Sequence, residues 1–403
     1  MTEHPTSLEH RWPAVMMANY ATPKILLDRG VGSTVWDAAG NEYLDLIAGI
    51  ATSTLGHGHP AVVEAVTAQV ERLAHTSNLY AHEPGLNLAE RLVGLLGVDA
   101  RVFFSQDGAT ANEAAYKLAR RHGWQSNPDG SRQNMVAAVG SFHGRTMGAL
   151  SITGSPAKRE PFEPLPGPVT FVPYGDIPAL RDAVDESTAA LFLEPVLGEG
   201  GVIPAPPGYL QAAREICTQQ GALLVVDEVQ SGIGRSGSWF MSREQGVTAD
   251  VITLAKGLAG GLPLGACIGI GDAGDLFRPG DHGSTFGGNP VSCAAALAVI
   301  DTIMSDDLLT NVKVVGEQWE HEFAAIDHPN LQGSRGLGLW RALELKDVPA
   351  TNVETAARAA GFLVNAVAPD AIRLAPPLVL TGREASRFAD AIPGILNVAA
   401  AQE

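Results

Sequence analysis

Between Arg101 and Ile270 one pattern repeats: short apolar runs rich in β-branched residues alternate with stretches of helical periodicity. The runs are Arg101–Phe104, Met135–Val139, Val169–Val172, Ala189–Leu193, Ala222–Val226, Val251–Leu254 and Ala266–Ile270. Apolar runs this short, without polar alternation, belong to strands buried on both faces, which demands helices above and below them. The chain is thereby constrained to an α/β fold whose large domain is a mostly parallel, doubly wound sheet. In such a sheet ligands bind where the strands end.

Two of these strand ends carry ionisable groups. Ala222-Leu-Leu-Val-Val-Asp-Glu-Val-Gln230 runs out of apolar wall into Asp227, and Val251-Ile-Thr-Leu-Ala-Lys256 runs out into Lys256. A lysine between apolar wall and glycine-rich chain is easily desolvated, which lowers its pKa and frees its amine to attack an aldehyde. An aspartate at the neighbouring strand end supplies the fixed negative charge that a pyridinium nitrogen needs. Together they point to pyridoxal 5'-phosphate. Either residue alone equally describes a strand end reaching for water, so the pair needs independent support. Upstream, Ser105-Gln-Asp-Gly-Ala-Thr110 lies between the strand ending at Phe104 and a helix expected over Ala111–His122. Thr110 and Glu113 have the spacing of a capping box, so a helix N-terminus with free N–H groups follows Gly108 and Ala109, where a phosphate would sit. A turn that merely needs a glycine leaves the same signature.

The formal net charge of −17 argues against nucleic acid and anionic membrane as partners, because both would repel the chain. An anionic substrate must then be captured by locally placed arginines. Cys217, Cys267 and Cys293 are isolated, which suits buried thiols in a reducing cytoplasm and leaves no expected metal site. Met1-Thr-Glu-His-Pro5 lacks the basic start and apolar core of a leader, and the apolar run Cys293–Ile300 is stopped by Asp301 far short of a bilayer span. A chain of 403 residues has room for two or three domains.

Longer stretches now fall into place. Val15-Met-Met-Ala-Asn-Tyr20, Leu55-Gly-His-Gly-His-Pro60, His75-Thr-Ser-Asn-Leu-Tyr80, Gly108-Ala-Thr-Ala-Asn-Glu113, Phe142-His-Gly-Arg-Thr146 and Glu194-Pro-Val-Leu-Gly-Glu199 follow one another along the chain. Asp227-Glu-Val-Gln230, Leu254-Ala-Lys256-Gly257, His282-Gly-Ser-Thr-Phe-Gly-Gly-Asn-Pro290 and Arg373-Leu-Ala-Pro-Pro377 complete the series. In these stretches and their order the chain resembles, nearly end to end, the class III (ω-) aminotransferases of the acetylornithine type. The resemblance implies a fold-type I pyridoxal-phosphate transferase. It would have an N-terminal part of a small domain over 1–60, a large cofactor domain over 61–288, and a linking helix with the C-terminal α+β small domain over 289–403. It also implies a cytoplasmic homodimer with active sites at the subunit interface.

By the same resemblance, Lys256 forms the Schiff base with the cofactor aldehyde and shuttles the proton, and Asp227 keeps the ring nitrogen protonated. Gln230 donates to the phenolic oxygen, Phe142 stacks on a ring face, and Glu228 and Val229 belong to the same cofactor-binding stretch. Gly108 and Ala109 hold the phosphate together with Thr285 of the other subunit. Arg145 is implied to bind the substrate's carboxylate with Ser284 nearby on the other subunit, Tyr20 to touch the distal carboxylate, and Arg373 to take the α-carboxylate of glutamate. Glu199 would cover Arg373 while the ω-amine substrate is bound. The implied reaction moves the δ-amine of N2-acetyl-L-ornithine to 2-oxoglutarate by a ping-pong route in arginine biosynthesis. Ornithine, succinyl-diaminopimelate and GABA remain alternative donors; Ile50, where ornithine enzymes tend to carry a tyrosine, tilts the choice toward an acylated one.

Departures from the family pattern bear on the cofactor. Where relatives usually have Asn-Ser-Gly-Ala-Glu, this chain has Gln106-Asp107-Gly108-Ala109-Thr110. A carboxylate at 4 Å from a phosphate charge costs about 4 kcal/mol at an effective dielectric of 20, so Asp107 is expected to turn away or be neutralised. Ser53 and Leu197 stand where relatives often carry Asn and Gln. Two rival readings remain: a non-catalytic protein that kept the fold, motivated by Asp107, and a nicotinamide-dependent dehydrogenase, motivated by Gly232-Ile-Gly-Arg-Ser-Gly237. The dehydrogenase reading suffers because Asp-Glu-Val-Gln separates strand from glycine and the following Ser-Trp-Phe-Met-Ser is poorly helical.

Overall fold

A computed structural model describes residues 8–402; the Met1–Pro5 stretch, read above as no leader, lies outside the described residues. Seven strands form the central sheet: β1 (Ala100–Ser105), β2 (Asn134–Ala138), β3 (Val169–Val172), β4 (Thr188–Leu193), β5 (Leu223–Asp227), β6 (Val251–Leu254) and β7 (Gly265–Ile270). Their spatial order is β1-β7-β6-β5-β4-β2-β3. Neighbours from β6 through β3 run parallel. Strand β7 is antiparallel to both β6 and β1. The short link 255–264 explains the reversal, because a parallel return needs a crossover of a dozen or more residues.

Burial of the strands follows from their composition. In β4, Leu191 and Leu193 join the apolar cluster on one face of the sheet, while Ala190 and Phe192 join the cluster on the other. Strand β5 does the same with Leu224 and Val226 against Leu223 and Val225. Period-two alternation between two apolar faces is what an unbroken apolar run produces once helices cover both sides.

Three helices matter for the site: α1 (Gly108–Ser126), α2 (Met147–Ser151) and α3 (Pro290–Ser305). Helix α1 starts earlier than expected, and its cap is a different residue. Asp107, not Thr110, is the N-cap; its carboxylate accepts from Thr110 N, and Asp107 N donates in return to the Thr110 hydroxyl oxygen. The expected Thr110–Glu113 capping box is thereby corrected: a short acid in extended backbone one residue before Gly108 outcompeted the hydroxyl further on. Helix α3 begins at Pro290 under Asn289, whose side chain accepts from Val291 N and Ser292 N.

The two chain ends meet in one sheet. Strands Leu27–Val31, Thr34–Asp37 and Glu42–Asp45 are completed by Phe362–Leu363, which pairs parallel with Glu42–Asp45 through Phe362 and Leu44. A second sheet of Leu331–Leu337, Trp340–Leu345, Ala371–Leu374 and Asn365–Ala368 carries Arg373. Among the described residues no helix is long and apolar enough to cross a membrane.

Candidate active site

A cavity of about 520 Å³ opens at the C-terminal ends of β5 and β6, lined by Lys256, Asp227, Gln230, Phe142, Arg145 and Gly108 among others. That size suits a small organic ligand. Parallel pairing sets Asp227 beside Thr253, so the acid and the residue two beyond Leu254 emerge at the same edge. Lys256 itself has a φ of +45°, a left-handed conformation that an L side chain adopts at a cost of order 1 kcal/mol or more. The next residue is tied down: the Thr54 hydroxyl donates to Gly257 O at 2.7 Å.

Burial lowers the Lys256 pKa to about 8, with the nearby Arg373 charge adding to the effect and Glu199, Asp227 and Glu194 opposing it. Asp227 is buried and fully engaged: Asn112 Nδ2 donates to its Oδ2 at 2.7 Å, His143 Nδ1 lies 2.8 Å from the same oxygen, and Val229 N donates to Oδ1 at 3.0 Å. For His143, burial alone would depress the pKa, but the bond to Asp227 and the charges of Asp227 and Glu194 raise it. Glu194 is pushed up to about 7 by burial, although it accepts from Phe142 N and Gly198 N. Asn112, His143 and Glu194 had been given no role in the sequence. Asn112 and His143 each sit inside a quoted stretch, but no spacing there reveals that both reach Asp227.

Arg373 comes from the second sheet and is 2% exposed. Its Nη1 lies 2.5 Å from Glu199 Oε1 and 3.3 Å from Gln230 Oε1, and its Nη2 donates to Asn365 Oδ1 at 2.8 Å. Burial would raise the Glu199 pKa, but the Arg373 guanidinium, helped by Lys256 and Lys158, holds it below the usual range. Arg145 stands exposed at the mouth, its guanidinium 5.7 Å from the Phe142 ring centroid.

The start of α1 forms one wall. Gly108 approaches Val229 so closely that a Cβ would meet Val229 Cγ1 at 2.7 Å, leaving the N–H groups of Gly108 and Ala109 at a bare helix end. The Asp107 carboxylate is folded onto Thr110 N at 2.7 Å and Thr110 Oγ1 at 2.9 Å. Glu228 is corrected: its buried carboxylate accepts from Ser231 Oγ, Met241 N, Ser242 N and Ser242 Oγ, so it points away from the cavity. Its pKa is raised by burial, with those bonds opposing.

Within one chain, Ser284 and Thr285 lie outside the cavity, in a neighbouring cleft with Thr110 and Glu113, and Ser284 Oγ accepts from Gly287 N. Tyr20 is 71% exposed and away from the cavity. Ile50 sits in a left-handed turn, Ala48–Ala51, and does not line the cavity, whereas Thr52 does. The Gly232–Gly237 stretch makes tight turns followed only by the four-residue helix Met241–Glu244, and its Arg235 guanidinium is buried, donating to Pro376 O. That geometry removes the dinucleotide-binding reading.

A desolvated amine, a buried acid held by three donors, an aromatic face and a bare helix end fit the aldehyde, ring nitrogen, ring plane and phosphate of pyridoxal 5'-phosphate. Comparison with known proteins agrees. The class-III aminotransferase family profile matches residues 15–396. Acetylornithine aminotransferase of Mycolicibacterium smegmatis is 55% identical over 394 residues, 98% of this chain and 99% of the relative. The crystal structure of ornithine aminotransferase from Toxoplasma gondii ME49 superposes with a TM-score of 0.90 at 32% identity, covering 96% of this chain and 93% of that one. An amine transaminase from an uncultivated Pseudomonas species, solved in its PLP-bound form, superposes with a TM-score of 0.87 at 31% identity, covering 95% and 98%.

Proposed function

The chain belongs to the class-III aminotransferases, and from that premise we propose that it moves the δ-amino group of N2-acetyl-L-ornithine to 2-oxoglutarate. The products are N-acetyl-L-glutamate 5-semialdehyde and L-glutamate, formed in two half-reactions in arginine biosynthesis. Bound pyridoxal 5'-phosphate supplies the electron sink that makes the proton on the amine-bearing carbon removable. The observation that carries the reading is the Arg373–Glu199 pair beside Lys256, because one pocket must serve two substrates that differ in charge where they meet Arg373.

Lys256 Nζ takes the proton from the amine-bearing carbon and returns it; an amine with a pKa near 8 is competent as both base and acid. Asp227 holds a negative charge toward the ring nitrogen, oriented by Asn112, His143 and Val229 N. Gly108 and Ala109 would hold the phosphate with their N–H groups, Phe142 and Val229 would flank the ring, and Gln230 would donate to its oxygen. Arg145 grips the donor's α-carboxylate bidentately. Glu199 neutralises Arg373 while the δ-carbon end of the donor, which carries no carboxylate, lies at the cofactor, then yields it to the α-carboxylate of glutamate.

The active unit in this reading is a homodimer, with Thr285 completing the phosphate site and Ser284 the carboxylate site of the other subunit, and with Tyr20 touching the distal carboxylate. The exposure of Leu79, Tyr80, Phe286 and Tyr20, each well over half, supports an apolar surface of that kind. Sedimentation at micromolar concentration should return twice the chain mass; a monomer with full activity would remove the shared site. The three cysteines are buried and unpaired, which supports a reducing, cytoplasmic setting. The sheet that the two chain ends share supports a division into 1–60, 61–288 and 289–403.

The experiment is a set of single half-reactions followed by cofactor absorbance, with acetylornithine, ornithine, GABA and succinyl-diaminopimelate in parallel. Acetylornithine should give the highest kcat/KM. A higher value for any of the other three would transfer the assignment to that donor, and no spectral change with any amine would leave the non-catalytic reading.

A further inference from the structure

We propose that Glu113 is a positioning residue that fixes the reach of Arg145 toward the substrate carboxylate. The inference rests on the reading of Arg145 as the carboxylate anchor. It begins from a carboxylate that the capping of its own helix does not use. Glu113 reaches across from α1 to the start of α2: Thr146 Oγ1 donates to its Oε2 at 2.6 Å, Ala149 N to the same oxygen at 3.0 Å, and Gly148 N to Oε1 at 3.2 Å. Thr146 is the N-cap of α2, yet its own side chain caps nothing. Glu113 therefore satisfies, from another helix, the N–H groups that open α2. Contact is close enough that a Cβ on Gly148 would fall 2.5 Å from Glu113 Oε1.

Arg145 stands between this attachment and a second one. On its N-terminal side, His143 O accepts from Asn112 Nδ2 at 2.8 Å and His143 N donates to Thr153 Oγ1 at 3.0 Å. Gly144, at φ +138°, lies so near α1 that a Cβ would meet Ala109 Cβ at 2.6 Å. The arginine is thus an exposed side chain, its guanidinium over the Phe142 ring and, among the described residues, in no ion pair, on a backbone pinned at both ends to α1. Helix α1 is also the helix whose first turn bears Gly108 and Ala109. One rigid element then carries the phosphate cradle at its end and the base of the arginine along its side. The distance between cofactor and carboxylate anchor becomes a property of α1, with Glu113 as the tie on the outer side. A misplacement of an anchoring group by about 1 Å costs up to a hundredfold in rate or affinity.

The test is a double-mutant cycle of Glu113→Gln and Arg145→Ala in the cofactor-saturated enzyme. Glutamine keeps the volume but turns an N–H₂ toward one of the N–H groups it must accept from. The readouts are the inhibition constant of glutarate, a dicarboxylate with no amine, the KM for the amino donor against kcat, and the absorbance of the bound cofactor. In the wild-type background E113Q should raise the glutarate constant and KM about tenfold, leaving kcat within about twofold and the absorbance unchanged. In the R145A background it should add less than about twofold. Equal effects in both backgrounds, or an unaltered glutarate constant, would overturn the proposal while leaving Arg145 in place. If R145A alone leaves glutarate and KM unmoved, the carboxylate-anchor reading itself falls. Should E113Q fail to accumulate as folded protein, Thr146→Val removes the shortest of the three bonds and enters the same cycle with the same two outcomes.

Discussion

Lys256 shows how far one residue's chemistry can be moved by its surroundings. A solvated lysine at pH 7 is neutral in only about three molecules in ten thousand; at a pKa of about 8 the fraction is about one in ten. Only the neutral amine attacks, so lowering the pKa accelerates capture of an aldehyde at neutral pH. The rate at which cofactor-free protein takes up pyridoxal 5'-phosphate, followed by absorbance, should rise about fivefold from pH 7 to 8 and less than about twofold from pH 8 to 9. A tenfold rise per unit continuing to pH 10 would mean the amine is not desolvated. Asp107 makes the opposite kind of case. Its carboxylate is turned onto Thr110 but still sits in the turn that offers Gly108 and Ala109, so Asp107→Ser keeps a good N-cap while deleting a charge. Cofactor titration should show about tenfold tighter binding, and unchanged or weaker binding would refute the repulsion. Both residues were legible in the sequence because each lies at a point where an element changes. Glu228 was misread for the same proximity: neighbours in extended chain point to opposite sides, so the acid beside Asp227 turned inward to Ser242 rather than into the cavity.

Among the elements, α1 binds the site together. Besides its first turn and Glu113, it contributes Asn112, whose amide donates to Asp227 Oδ2 and His143 O and accepts from Thr253 Oγ1. One buried side chain thus joins β5, β6 and the loop before α2. Asn112→Ala would take one of three donors from the buried Asp227 carboxylate and the amide partner from His143 O and the Thr253 hydroxyl, and chemical denaturation of the cofactor-free protein should register a loss of about 2–4 kcal/mol. A loss under about 0.5 kcal/mol would mean that water replaces the amide. None of this was readable beforehand. The strands were, because an apolar run buried on both faces has few other fates. The direction of β7 was not in its own residues at all but in the length of the link before it, and the start of α1 shifted because Asp107 and Thr110 close a capping box three residues earlier than Thr110 and Glu113 would.

At the scale of the molecule, the pairing proposed to govern substrate choice joins distant parts of the chain: Glu199 follows β4 in the central sheet, and Arg373 rides on the sheet built by the C-terminal part. A net charge of −17 gives the substrates no general attraction, so Arg373 must do its work locally and must be hidden when its charge is unwanted. In the proposed reading the carboxylate of Glu199 does the hiding, and a hydrogen bond between charged groups is worth about 1.5–3 kcal/mol. Glu199→Gln preserves the shape and weakens the cover, which leaves the guanidinium freer for the α-carboxylate of glutamate. The ratio of kcat/KM for the amino donor to kcat/KM for glutamate should therefore fall at least about tenfold, with the glutamate value rising. Because Arg373 is 2% exposed and Glu199 only partly exposed, counterions screen the pair less than they would a surface pair, and the ratio should change little when salt is raised. A ratio unmoved by the substitution would reduce the pair to a structural contact, and a ratio that collapsed with salt in the wild-type enzyme would place the discrimination at the exposed mouth, with Arg145, instead of at the buried gate.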